Sequence, residues 1–118
     1  MREALSIGPG ESIRTAATRM AEANLPAISV VDNGRVVGLL SNRDLVAKVV
    51  AQSLSADETK VSEVMDPRPA RISDDRDLAS ARLIMQARGT HELLVQDFTG
   101  QVVGIFCDCG CCDREAAQ

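Results

Sequence analysis

The tightest constraint on this chain is that it repeats itself. With Ile7 placed on Ile72, Ile13 meets Leu78, Ala16 meets Ala81, Met20 meets Met85, Val30 meets Val95 and Asp32 meets Asp97. One extra residue enters the second copy within Phe98-Thr99. After it, Val36-Val37-Gly38 meets Val102-Val103-Gly104 as an identical triplet. A single insertion in a turn, with identities on both sides of it, marks a duplication.

Each copy reads the same way. A short extended piece (Leu5-Ser6-Ile7; Ala70-Arg71-Ile72) is followed by turn residues (Gly8-Pro9-Gly10; Ser73-Asp74-Asp75). A helix comes next. Ile13, Ala16, Ala17 and Met20 form one apolar stripe at helical spacing, and Leu78, Ala81 and Met85 take the matching positions. Asn24 and Gly89 fall where a helix C-terminus needs a residue tolerant of positive φ. Two β-rich runs then flank a turn, Asp32-Asn33-Gly34 in the first copy and Asp97-Phe98-Thr99-Gly100 in the second. The first copy closes with a helix expected over about Asn42 to Ser53, with Leu45, Val46, Val49 and Val50 as its apolar face. The segment from Leu54 to Pro69 carries a short helical piece around Val61 to Met65.

One such unit leaves a sheet face and a helix stripe uncovered, and a second unit can cover both. The expected fold class is therefore mixed α/β (α+β). It consists of two pseudo-twofold-related β-α-β-β-α units packed sheet to sheet, with repeats over 1–55 and 70–118 and a linker over 56–69. Clefts related by the same pseudo-symmetry are expected between them.

Bulk properties narrow the function. The net charge is −4 and there is no Trp or Tyr, so neither a basic footprint nor stacking platforms for nucleic acid are present. No apolar run reaches the roughly 20 residues of a membrane helix. The first residues lack a signal-peptide layout, so a cytoplasmic protein without a membrane partner is expected. With one histidine and no catalytic triad, zinc-protease or phosphate-loop motif, an enzyme is the least favoured class.

Two β-α-β-β-α copies, each with Val-Val-Gly-aliphatic in the last strand, resemble a tandem pair of cystathionine β-synthase (CBS) domains, the Bateman module. The resemblance runs from about Leu5 to Gly110. It is most specific at Val36-Val37-Gly38-Leu39-Leu40-Ser41-Asn42-Arg43-Asp44-Leu45, and Val61-Ser62-Glu63-Val64-Met65 resembles the segment that usually precedes a second copy. The resemblance implies a regulatory module for an adenosine-containing ligand such as AMP, ADP, ATP or S-adenosylmethionine, commonly homodimeric. It assigns Asp44 to the ribose hydroxyls and Ser41 to the ribose or a phosphate.

The local chemistry admits both this reading and a plainer one. Ser41 precedes a helix, where unpaired N–H groups favour an anion, and Arg43 could add a charge-assisted bond. An acceptor-only carboxylate such as Asp44 suits a vicinal diol. Equally, Ser41 is a good N-cap and Asp44 in the first turn complements the helix dipole. In such pairs the opposite wall comes from the other copy, here Arg71 and Ile72 and the stretch His91-Glu92-Leu93. Lys60 and Arg71 are further candidate phosphate contacts. Glu92 stands where phosphate-binding members often carry a basic residue, which favours AMP, adenosine or S-adenosylmethionine over highly charged nucleotides.

The second copy departs from the motif. Cys107 stands at the Ser41 position and Gly110 at the Asp44 position, so a second ribose site is not expected. All four cysteines, Cys107, Cys109, Cys111 and Cys112, fall within six residues. They could bind zinc as thiolates, act as a redox switch, or be inert. A metal- or redox-responsive module and a ligand-free dimerisation module are therefore the alternatives to nucleotide sensing.

Overall fold

The computed structural model describes residues 5–108. The chain divides into two compact units, Leu5–Arg68 and a second built from Pro69 onward. Each is a three-stranded sheet with one long helix.

In the first unit, β1 (Ser6–Ile7) runs parallel to β2 (Ala27–Asp32), which runs antiparallel to β3 (Arg35–Ser41). Helix α1 (Ile13–Ala23) makes the crossover. Ser12 starts it by accepting a hydrogen bond from the Thr15 N–H at 3.1 Å. Asn24 ends it at φ 54°, in the left-handed region that the end of a helix requires. The β2–β3 turn places Asn33 and Gly34 at φ 52° and 77°, the positive pair that a tight two-residue hairpin needs.

The second unit repeats this plan. β4 (Arg71–Ser73) is parallel to β5 (Glu92–Gln96), and β5 is antiparallel to β6 (Val102–Cys107), with α4 (Leu78–Arg88) as the crossover. Asp77 caps α4 through the Ser80 N–H at 2.9 Å, and Gly89 ends it at φ 64°. Even the irregularity is shared. The hairpin register shifts between Val30 and Val31 in one copy and between Val95 and Gln96 in the other.

Three sequence expectations need correction. The helix after β3 is a single α turn, α2 (Asn42–Asp44), continued by a π-helical stretch over Leu45–Val50. Only part of its expected apolar face is buried. Val49 enters the core with Leu45 against it, whereas Val46 and Val50, one residue further round the helix, are exposed. Leu78, the counterpart of the fully buried Ile13, is 51% exposed.

The segment between the two repeats contributes to the first core. Helix α3 (Val61–Val64) buries both of its valines among Ile7, Ile13, Ala16, Val30 and Leu40. Its approach is hydrogen-bonded to the start of α1. The N–H groups of Ile13 and Arg14 donate to the carbonyls of Thr59 and Ala56, and those of Val61 and Ser62 donate to Glu11 and Pro9, at 2.9–3.0 Å. Two first-turn donors of α1, which no helix can satisfy internally, thus find partners. The Arg14 guanidinium also pairs with Asp57 and holds that carboxyl below its usual range. Beyond α3, Asp66 exchanges two backbone bonds with Leu39. This explains Gly38: a Cβ there would lie 2.5 Å from the Met65 sulfur and 2.9 Å from the Asp66 carbonyl.

Candidate functional site

The register of the first hairpin sets Ser41 opposite Ala27 at the end of β3, and the Asn42 N–H is tied to the Pro26 carbonyl at 2.9 Å. The chain then turns straight into α2, which brings Asp44 back over Ser41. The result is a reciprocal cap. The Ser41 N–H and hydroxyl both donate to Asp44 Oδ2, at 3.0 and 3.1 Å, while the Asp44 N–H donates to Ser41 Oγ at 3.2 Å. Ser41 is buried, and the side chain of Asp44 is 16% exposed.

A residue that the motif did not name completes the arrangement. Lys48 Nζ lies 3.2 Å from Asp44 Oδ1 and donates to the Val64 carbonyl at the same distance. The sequence signal for it is the Asp44–Lys48 spacing, an acid four residues ahead of a base on one helix. Asp44 is thus held on both oxygens: Oδ2 takes two donors from Ser41, and Oδ1 takes Lys48 while keeping acceptor capacity. Arg43 is exposed beside this group.

Lys60 is placed differently. It bridges to Ser12, where the chain has left β1, and its N–H donates to Glu63 Oε2 at 2.6 Å. Ser41 lies at the other end of that sheet, beside the start of β2.

In the second unit, Ile72 and Leu93 are buried and belong to its core, so their side chains are spent on packing. Arg71 is exposed and reaches Gln96 Oε1 on the adjacent strand at 3.3 Å. His91 Nδ1 lies 3.2 Å from Asp108 Oδ1, and the Asp108 N–H donates to the His91 carbonyl. Glu92 is buried at 7% exposure, with its N–H bonded to Thr90 Oγ1.

Cys107 takes the structural place of Ser41, opposite Glu92 as Ser41 is opposite Ala27. It is buried and disulfide-bonded, which removes its sulfur from any thiolate ligand set in this state. Cys109, Gly110, Cys111 and Cys112 lie outside the described residues, and so does most of the proposed metal set. Among the described residues, no three His, Cys, Asp or Glu side chains come together as a metal site. Nor is any described helix long and apolar enough to cross a membrane.

Comparison with known proteins agrees with the duplicated fold. The CBS domain family model matches twice, over residues 1–51 and 61–108, and the chain belongs to that family as a tandem pair. CBS domain-containing protein YhcV of Bacillus subtilis is 31% identical over 100 residues, covering 85% of this chain and 70% of that protein. CBS domain-containing protein CBSCBSPB5 of Arabidopsis thaliana is 29% identical over 102 residues, covering 86% of this chain and 19% of the relative. The chain thus spans about a fifth of such plant relatives.

Among solved structures, an uncharacterized conserved protein from Pyrococcus horikoshii superposes with a TM-score of 0.88 at 24% identity, covering all of this chain and 87% of its own. PAE2072 from Pyrobaculum aerophilum, a CBS domain protein complexed with AMP, gives 0.79 at 22% identity, covering 99% and 93%. The cytosolic domain of the Mg2+ channel MgtE, in complex with ATP, gives 0.68 at 27% identity, covering 86% and 41%.

Proposed function

We propose that this chain is a regulatory module, not a catalyst, and that it senses an adenosine-containing ligand through Ser41, Arg43 and Asp44 of the first repeat. The observation that carries the reading is the fixed Asp44 carboxylate, held by Ser41 on one oxygen and by Lys48 on the other, with acceptor capacity left on Oδ1. A carboxylate already oriented loses little freedom when a ribose diol donates to it. Lys48 is half exposed and is the group that an incoming hydroxyl would share or displace. Two structural neighbours support the ligand class. One holds AMP and the other ATP, and adenosine is the part these share.

The second repeat offers no equivalent, with Cys107 in place of Ser41 and Gly110 in place of Asp44. One ligand per chain follows. The exposed Val46 and Val50 on the outer side of the π-helical stretch are the face where we place self-association of the module.

The test is thermal stabilisation by AMP, ADP, ATP and S-adenosylmethionine. A ligand at a hundred times its Kd stabilises by about 2.7 kcal/mol. Asp44→Asn, which keeps the side-chain shape, should abolish the shift, and Cys107→Ser should leave it intact. No shift with any of the four at millimolar concentration overturns the reading.

A further inference from the structure

One hydroxyl in the first sheet is buried without a partner. Side chains along β2 and β3 alternate between the two faces of that sheet. Ile28, Val30 and Leu40 belong to the core of the first unit. Ala27, Ser29, Leu39 and Ser41 share the opposite face, with Ser41 opposite Ala27 and Leu39 opposite Ser29. All four are buried, Ser29 at 1% exposure. The Ser29 N–H donates to the Leu5 carbonyl at 2.8 Å. Its Oγ has no hydrogen-bond partner among the described residues.

A buried hydroxyl with no bond has given up its water for nothing, and an alanine in its place would avoid that cost. An unsatisfied group of this kind calls for a reason other than packing. The second repeat shows what packing alone selects. Leu94 stands opposite Ile105 as Ser29 stands opposite Leu39, and it is 0% exposed. The same repeat has Cys107 and Gly110 in place of Ser41 and Asp44. The hydroxyl at position 29 and the Ser–Asp pair therefore occur together in one copy and are replaced together in the other.

Position links the two. Ser29 is the diagonal neighbour of Ser41 across the hairpin, and such positions lie about 7–8 Å apart on one face. A nucleoside spans that length from its ribose hydroxyls to the far edge of its base. A ribose on Asp44 thus leaves the base within reach of Ser29. We propose that Ser29 is a ligand contact that reads the base, its hydroxyl donating to a ring nitrogen or accepting from an exocyclic amine. The inference rests on the nucleotide reading of Ser41 and Asp44 and adds the group that recognises the base. Because Ser29 is sealed from solvent, the base gains this bond only as the cover of that face moves. The unpaired hydroxyl, a cost to the free chain, becomes a gain on binding.

The test is Ser29→Ala in the full chain, with AMP as the probe. Thermal unfolding is followed without ligand, and the Kd for AMP is measured by titration calorimetry. The two readouts should move in opposite senses. Without AMP the melting temperature should rise, because the unpaired hydroxyl is gone. The Kd should weaken roughly fivefold, because the base loses its bond. A merely structural serine would lower the melting temperature when replaced, and that result overturns the proposal by showing that the hydroxyl is bonded in the free chain. An unchanged Kd overturns it too, while leaving the nucleotide reading intact. So does a wild-type chain that does not bind AMP at millimolar concentration; the nucleotide reading itself falls only if ADP, ATP and S-adenosylmethionine also fail.

Discussion

Ile13 and Leu78 hold the same position in the two repeats, at the first turn of the long helix, facing the same strands. One is sealed and the other stands half in solvent. Neither the local sequence nor the local fold accounts for the difference, because the caps, hairpin registers and even the strand irregularities are shared. Among the described residues, the difference is that Val49 and residues 56–65 pack over the first core. Burial in a duplicated protein is thus set by what covers each copy.

Stability measurements can break this comparison. The largest effect expected is for Ile13→Ala, at about 2–5 kcal/mol in urea denaturation, against less than about 1 kcal/mol for Leu78→Ala. Equal losses would mean that the second core is closed after all. Gly38→Ala should follow at about 1–3 kcal/mol, because the Asp66 carbonyl that a Cβ would meet is backbone and cannot swing aside. Ser12→Ala should remove about 1 kcal/mol by uncapping α1. Lys48→Met should cost less than about 1 kcal/mol, since the pair with Asp44 is partly exposed, yet it should alter the response to AMP.

The subtlest contrast is with pH. Helix α1 is capped by a hydroxyl and α4 by a carboxylate. The bond from the Ser80 N–H, then that from the Ser80 hydroxyl, with help from Arg76, holds Asp77 below its usual range. A depressed folded-state pKa means that the contribution is full above the ordinary carboxylate pKa and is lost as pH falls through the depressed value. Amide protection at the start of α4, taken relative to the intrinsic exchange rate at each pH, should therefore fall in acid by more than at the start of α1, where the exposed Arg14–Asp57 pair is the group that titrates. Asp77→Ser should remove the contrast.

Much of the architecture was legible because it rests on local chemistry. Asn24, Gly89 and Asn33-Gly34 declare their left-handed backbone by residue type, and the 65-residue register fixes the duplication. Ser41 was readable as a cap for the same reason, whereas its reciprocal bonds with Asp44 came only with the structure. Two things were not. The narrowness of the buried face after β3 depends on π winding, which leaves Val46 and Val50 outside. The role of Val61 and Val64 depends on contacts with residues some 50 positions earlier, to which no periodicity points. Lys48 was within reach through its spacing from Asp44, but its second bond, to the Val64 carbonyl, depends on where the linker packs.

The packing of α3 also separates the unit of duplication from the unit of folding. A fragment cut at residue 55 would contain the whole first repeat yet lack Val61 and Val64, and it should be molten, whereas one ending at Arg68 carries its complete core. During synthesis the same geometry sets an order of events. The first half cannot close until Met65 has emerged, so the nascent chain passes through a stage in which every strand of that half exists and its core is still open to water.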